Sequence, residues 1–88
     1  MKVLVIGSGY VGLVAAVGFA EAGHHVLGVD VDPAKIERLR RGESPIYEPG
    51  LDDLLLKHQA TGVLQFTLDL HEGIREADAA FICVGTPQ

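Results

Sequence analysis

A chain of 88 residues is long enough for one small domain, and its 48% hydrophobic and 22% charged residues are typical of a folded globular protein. The formal net charge of −5 argues against a nucleic-acid partner, because phosphates attract a basic surface. No apolar run approaches the roughly 20 residues of a membrane span and the start does not resemble a signal peptide, so we expect a cytoplasmic protein without membrane contact.

The first third of the chain predicts a strand, a helix and a second strand. Residues 2–6 form a short apolar run that suits a strand covered on both faces. An alanine-rich helix is predicted over residues 11–22, and Gly23 is placed to end it. A second buried strand is predicted over residues 26–30, and it ends in a carboxylate.

A second helix is predicted to begin with Asp32 as its N-cap and Pro33 as its first helical residue, and to end at Gly42. Ile36 and Leu39 are three positions apart and are expected to face inward. The basic residues of this helix are expected to remain in solvent: Lys35, Arg38, Arg40 and Arg41.

Residues 43–50 hold two prolines and no hydrophobic period, which predicts an ordered loop. A third helix is predicted over residues 51–59, and a third strand over residues 63–67. The inward stripe of this helix is expected to comprise Leu51, Leu54, Leu55 and His58.

A fourth helix is predicted to begin at Asp69, which has capping-box spacing to Glu72. Residues 79–84 predict a fourth buried strand, and residues 85–88 a loop at its carboxyl end. The inward stripe of the helix is expected to comprise Leu70, Ile74 and Ala77.

This order of elements predicts an α/β fold: a Rossmann-like parallel sheet with strand order 3-2-1-4 and flanking helices. Strands one and four would lie side by side at the topological switch point, where ligands bind beyond the carboxyl ends of the strands. Because four strands make only the first half of such a sheet, residues 1–88 are interpreted as a truncated, partial dinucleotide-binding domain. We expect the open edge of strand four to cause dimerisation or aggregation.

The glycine motif G-x-G-x-x-G lies between the first strand and the first helix. Gly7 permits a tight turn, Gly9 removes a side chain that would hold a phosphate away, and Gly12 lets the helix lie against the sheet. The N–H groups near Tyr10 and Val11 are expected to bind the pyrophosphate of a dinucleotide.

An acidic residue about 20 positions downstream is the second part of this pattern, and Asp30 lies 18 residues after Gly12. A carboxylate there binds ribose hydroxyls and repels a 2′-phosphate, which favours NAD over NADP. Lys35 could reach the same ribose or could be a plain surface lysine. Thr86 follows strand four beside the switch point, so its hydroxyl and the backbone near Gly85 could meet the cofactor, but position alone does not decide this.

Other reactive side chains are assigned no chemistry. Cys83 lies in an apolar run without a basic neighbour, so we expect it to pack in the core, and a single cysteine forms no intrachain disulfide. Tyr10 and Tyr47 are interpreted as packing groups rather than acids. The histidines show no metal-ligand spacing and are expected at the surface: His24, His25, His58 and His71.

Four blocks of sequence resemble the N-terminal part of the UDP-glucose/GDP-mannose dehydrogenase family, and the resemblance covers the whole chain. The blocks are residues 7–12 (GSGYVG), 28–32 (GVDVD), 44–51 (SPIYEPGL) and 81–87 (FICVGTP). The block at 44–51 is the most specific, because generic dinucleotide-binding folds lack it.

The resemblance implies an NAD-dependent, four-electron oxidation of the 6-hydroxyl of a nucleotide sugar to a carboxylate, in an enzyme of polysaccharide biosynthesis that forms a homo-oligomer. Tyr47 slightly favours UDP-glucose over GDP-mannose as the substrate. The implied cofactor contacts are Val11, Asp30, Lys35 and Thr86, in a crevice lined by Val84, Gly85, Thr86, Pro87 and Gln88.

The same resemblance places the catalytic cysteine, its assisting lysine and asparagine, and the sugar-nucleotide domain beyond residue 88. No catalytic residue is therefore assigned within the chain, and we expect the chain alone to be inactive. Three alternatives remain open: a 6-dehydrogenase of the same family for GDP-mannose or another nucleotide sugar, a regulatory module that binds NAD without chemistry, and a folded fragment that binds nothing measurably.

Overall fold

The computed structural model describes residues 1–7, 9–44 and 48–83. Within them the chain forms four strands: β1 Lys2–Ile6, β2 His25–Val29, β3 Leu64–Thr67 and β4 Ala79–Ile82. It also forms four helices: α1 Tyr10–Glu21, α2 Pro33–Arg40, α3 Leu51–Ala60 and α4 Leu70–Glu76. Every predicted helix and strand is present, with ends shifted by at most two residues. The predicted end of the fourth strand, at residue 84, lies outside the described residues.

The strands form one parallel sheet in the order β3-β2-β1-β4, which confirms the predicted α/β fold. β1 pairs with β2 on one side and with β4 on the other. Leu4 stands opposite Leu27 of β2 and Ala80 of β4. The carboxyl ends of β1 and β4 therefore lie side by side, where ligands bind in sheets of this topology.

The main hydrophobic core lies on the face of the sheet that carries α1, α2 and α3. Val3 and Val5 enter this core from β1, and each is 1% exposed. Burial of each such side chain contributes roughly 1.5–3 kcal/mol. The helices contribute Leu13 and Ala16 from α1, Ile36 and Leu39 from α2, and Leu51 and Leu55 from α3. The inward apolar positions predicted for α2 and α3 are therefore confirmed.

The helix ends that the sequence predicts are also confirmed. Asp32 and Asp69 cap α2 and α4, and each accepts a hydrogen bond from a backbone N–H of the first turn. Gly23 and Gly42 follow α1 and α2 with φ of 94° and 78°, a backbone conformation that glycine adopts without steric cost.

Two polar side chains expected in solvent have protein partners on other elements. His58 is 7% exposed, because it lies on the inward stripe of α3, and its Nε2 is 2.8 Å from Oε1 of Glu21. Arg40 donates from Nε and Nη2 to the Phe66 carbonyl of β3, at 3.0 and 2.8 Å. The surface prediction was therefore wrong for His58, whereas Arg40 is exposed as predicted although its guanidinium bonds to β3.

α4 covers the opposite face of the sheet, and its predicted inward stripe was wrong. Gly73 is the buried residue of this helix, and it lies against Leu4 and Leu27. Leu70 is 38% exposed and Ile74 is 57% exposed. A glycine at the contact lets the helix approach the sheet closely, so that the larger side chains beside it face outward.

β4 was predicted to be buried, but it is largely exposed. Phe81 is 42% exposed and Ile82 is 72% exposed, although the ring of Phe81 lies 4.8 Å from that of Phe19 on α1. The reason is topological, because β4 is the edge strand of the described sheet. Its composition is that of a central strand, yet only one strand pairs with it.

Candidate functional site

The turn between β1 and α1 places two motif glycines in close contact at the carboxyl end of the sheet. Gly7 has a φ of 98°, and its N–H donates to the Val29 carbonyl at the end of β2, at 2.7 Å. A Cβ on Gly12 would overlap the Gly7 carbonyl oxygen and would lie 3.2 Å from the Cβ of Cys83. The protein's own packing therefore requires glycine at positions 7 and 12.

Gly9 is different, because the protein's packing does not require it. Its φ of −72° and ψ of −167° are open to any residue. Among the described residues, nothing lies within 4 Å of a Cβ built at this position. The absent side chain leaves open space in front of the first turn of α1.

The N-terminus of α1 presents backbone donors, and neither its cap nor its first turn carries a carboxylate of its own. Leu13 N–H donates to the Gly9 carbonyl at 2.9 Å, so the N–H groups of Tyr10, Val11 and Gly12 precede this helical bond. The first turn of α1 holds no acidic residue, whereas α2, α3 and α4 each have one at the cap or in the first turn. An anion is therefore favoured at α1 over the other three helices.

Asp30 directly follows β2, and its side chain is 12% exposed. Its Oδ1 accepts from the N–H of Asp32 at 3.0 Å, and its Oδ2 lies 3.7 Å from Nζ of Lys35. Because Gly7 is bonded to Val29, the residue before Asp30, this carboxylate and the glycine turn are neighbours. The structure thus brings Gly7, Asp30 and Lys35 close to one another.

Tyr10 is not a packing group, contrary to the interpretation from sequence. It is 54% exposed, and its hydroxyl lies 3.5 Å from Oε2 of Glu48. Val11, its neighbour in the first turn, is 67% exposed and accessible to a ligand. Glu48 was missed by the sequence analysis, since no local pattern relates residues 38 positions apart. Tyr47 lies outside the described residues.

Cys83 packs against the margin of the core, as predicted. Its N–H donates to the Ile6 carbonyl at 2.8 Å, so the chain leaves β4 beside the glycine turn. The remaining predicted cofactor contacts lie outside the described residues and stay predictions: Val84, Gly85, Thr86 and Pro87.

Residues 1–7, 9–44 and 48–83 contain no group of three or more His, Cys, Asp or Glu side chains placed to hold a metal ion. None of the helices there has the length and apolar character needed to cross a bilayer. A cleft of about 330 Å³ beside α4 opens near the amino ends of β1 and β2, away from the glycine turn.

A parallel sheet in the order 3-2-1-4, with a glycine turn at the start of α1 and a carboxylate after β2, defines the first half of a dinucleotide-binding fold. The model of the UDP-glucose/GDP-mannose dehydrogenase family, NAD binding domain, matches residues 1–88. The chain therefore belongs to the UDP-glucose/GDP-mannose dehydrogenase family. The matching model describes the NAD-binding domain of that family, and NAD is its cofactor.

Known relatives carry two different substrate names. The chain is 51% identical over 88 residues to the UDP-glucose 6-dehydrogenase of Bacillus subtilis, covering 100% of this chain and 20% of that protein. It is 49% identical over 87 residues to the GDP-mannose 6-dehydrogenase of Pseudomonas syringae pv. tomato, covering 99% of this chain and 20% of that protein. The chain thus spans about one fifth of the length of these relatives.

Solved structures agree with the observed fold. A ternary complex of GDP-mannose dehydrogenase from Pseudomonas aeruginosa matches with a TM-score of 0.94 and 46% identity, over 99% of this chain and 20% of that one. A UDP-glucose dehydrogenase from Pyrobaculum islandicum matches with a TM-score of 0.91 and 50% identity, over 98% of this chain and 20% of that one.

Proposed function

We propose that the chain is the NAD-binding segment of a UDP-glucose 6-dehydrogenase, and that it holds the cofactor at the glycine turn and at Asp30. The observation that carries this proposal is the open space at Gly9. The described protein around Gly9 does not need a glycine, whereas a phosphate group approaching the first turn of α1 does.

Each part of the cofactor has a matching group in this proposal. The pyrophosphate lies against the N–H groups of Tyr10 and Val11, where the helix dipole favours negative charge. Asp30 accepts hydrogen bonds from the adenosine ribose hydroxyls, and Lys35 lies close enough to contact the same sugar. The Asp30 carboxylate would repel the 2′-phosphate of NADP, which explains a preference for NAD.

The segment that follows β4 in the sequence is the last part of the proposed site. Val84, Gly85, Thr86 and Pro87 follow β4 directly in sequence, and Cys83 is already bonded to the end of β1. Residues that follow a strand at the switch point lie where the ligand crosses the sheet. We therefore propose that this segment contacts NAD from the side opposite Asp30.

Bound NAD supplies the hydride acceptor for the oxidation of a nucleotide sugar. In the whole protein, two NAD molecules would be reduced for each UDP-glucose converted to UDP-glucuronate. The residues of this chain bind and orient the cofactor, while the groups that act on the sugar would lie in further domains. On this proposal residues 1–88 are a partial domain that is inactive alone, and the whole protein is a cytoplasmic homo-oligomer.

A second nucleotide sugar has direct support as a candidate substrate. GDP-mannose 6-dehydrogenases are 46–49% identical to this chain, close to the 51–52% of UDP-glucose 6-dehydrogenases. Since the described residues form a cofactor site, they do not discriminate between the two sugars. Assay of the whole protein with UDP-glucose and with GDP-mannose distinguishes these functions. Activity with neither would leave two alternatives, another nucleotide sugar as the substrate or an NAD-binding module without chemistry.

Calorimetric titration of the chain with NAD, up to millimolar concentration, tests the cofactor site. We expect measurable binding, and an increase in Kd of about tenfold or more in Asp30→Ala, because charged hydrogen bonds contribute about 1.5–3 kcal/mol. Discrimination against NADP should weaken in the same variant. Asp53→Ala, which removes an exposed carboxylate of α3, is the matched control. An unchanged Kd in Asp30→Ala would contradict the proposal.

A further inference from the structure

The loop at residues 43–50 is anchored to α3 at both of its ends. The Ser44 N–H donates to Oδ1 of Asp52 at 2.9 Å, and the N–H of Leu51 donates to the Glu48 carbonyl at 3.1 Å. Leu51 is 5% exposed and belongs to the main core. The backbone that carries Glu48 is therefore fixed by the packing of α3.

Glu48 contacts the first residue of α1. The Tyr10 hydroxyl points to Oε2 of Glu48, with 3.5 Å between the two oxygens. Tyr10 is 54% exposed, so its ring has few packing contacts to hold it. The preceding N-cap, Gly9, offers no side chain to cap the helix. The contact from the loop therefore adds a side-chain restraint to the backbone bonds that Gly7 and Leu13 make in this turn.

We propose that Glu48 is a positioning residue for the dinucleotide site. Its carboxylate holds the Tyr10 hydroxyl and thereby orders the turn whose N–H groups face the pyrophosphate. Glu48 itself does not touch the cofactor. This inference rests on the proposed function, and it adds the loop at residues 43–50 to the elements that set NAD affinity.

A double-mutant cycle tests this role by titration of the chain with NAD. Tyr10→Phe and Glu48→Ala should each raise the Kd for NAD by about three- to tenfold, the range for loss of one hydrogen bond. The double variant should bind no more weakly than either single variant, because both substitutions remove the same contact. Glu48→Gln keeps an accepting oxygen and should restore affinity to that of the parent chain.

Glu43→Ala is the matched control, since it removes another exposed carboxylate from the same loop. The partner of the Glu43 carboxylate is Arg41. Its Kd should equal that of the parent chain. The same variants should also show coupling in urea unfolding without NAD, which tests the contact independently of the ligand.

The failures of the two proposals are distinguishable. If the parent chain binds NAD while Tyr10→Phe and Glu48→Ala leave the Kd unchanged, or if their effects simply add, the positioning role is overturned and the proposed function stands. A Glu48→Gln variant as weak as Glu48→Ala would also overturn the role of the hydrogen bond. If the parent chain does not bind NAD, the proposed function fails and the positioning role fails with it.

Discussion

The Nε2 atom of His58 lies 2.8 Å from Oε1 of Glu21, and this contact joins α3 to the last residue of α1. Nζ of Lys57 is 3.8 Å from the same carboxylate oxygen. The hydrogen bond from His58, together with the charge of Lys57, lowers the pKa of Glu21 below its ordinary value. The ionised carboxylate is therefore bound more favourably in the folded chain than in the unfolded one.

This contact predicts a stability loss in acid. A carboxyl group whose folded pKa is lowered adds stability above its ordinary pKa of about 4.3, and that stability is lost as the pH falls through the lowered value. In urea unfolding between pH 7 and pH 3, Glu21→Gln should be less stable than the parent at neutral pH, and the difference should close in acid. Glu37→Gln, on the exposed side of α2, controls for loss of a surface carboxylate. A difference independent of pH would contradict the prediction.

Two glycines of α1 predict opposite effects of the same substitution. Gly12→Ala should lower the free energy of unfolding by about 1–3 kcal/mol, because the new methyl group would overlap the Gly7 carbonyl. Gly18→Ala should raise it by about 0.5–1 kcal/mol, because this exposed helical position has open space and glycine is costly in a helix. Chemical unfolding of both variants measures the two changes in the free energy of unfolding. Changes of the same sign would contradict the described packing of the turn.

Gly9→Ala should separate binding from stability. The backbone at this position suits any residue and the described neighbours leave space, so the free energy of unfolding should fall by less than about 1 kcal/mol. The affinity for NAD should fall at least about tenfold, because the methyl group would hinder the approach of a pyrophosphate to the backbone. Titration with NAD and chemical unfolding of the same preparation measure the affinity and the stability. Gly18→Ala is the control for NAD affinity. NAD affinity equal to that of the parent would refute this role for Gly9.

The two edges of the sheet predict where the isolated chain associates. At the β3 edge, Arg40 donates two hydrogen bonds to the Phe66 carbonyl. The β4 edge instead exposes the side chains of Phe81 and Ile82. Unblocked apolar edges recruit other strands. Sedimentation should therefore detect dimers or larger species. Ile82→Lys should lower the share of these species relative to the parent, when the folded fraction of the two chains is the same. A parent chain that is monomeric at all concentrations would contradict this prediction.

Local sequence signals were sufficient for the elements and for the central part of the site. Asp32 followed by Pro33 defines a helix start, and a left-handed glycine at position 23 ends α1, because each signal acts within one turn of backbone. The glycine turn and Asp30 were also predictable. The crossover topology of a parallel sheet brings the end of β2 beside the end of β1, whatever the intervening side chains are.

Tertiary structure alone decided the contacts between distant side chains and the exposure of β4. Glu21 and His58 are 37 positions apart, and Tyr10 and Glu48 are 38 apart, so neither pair follows from helical or strand periodicity. β4 has the apolar composition of a central strand, but its burial depends on how many strands pair with it. The sequence by itself determined the elements, their order and the cofactor motif, since these depend on local backbone chemistry. The sheet and its packed helices decided which side chains meet, because those contacts depend on the positions of whole elements in space.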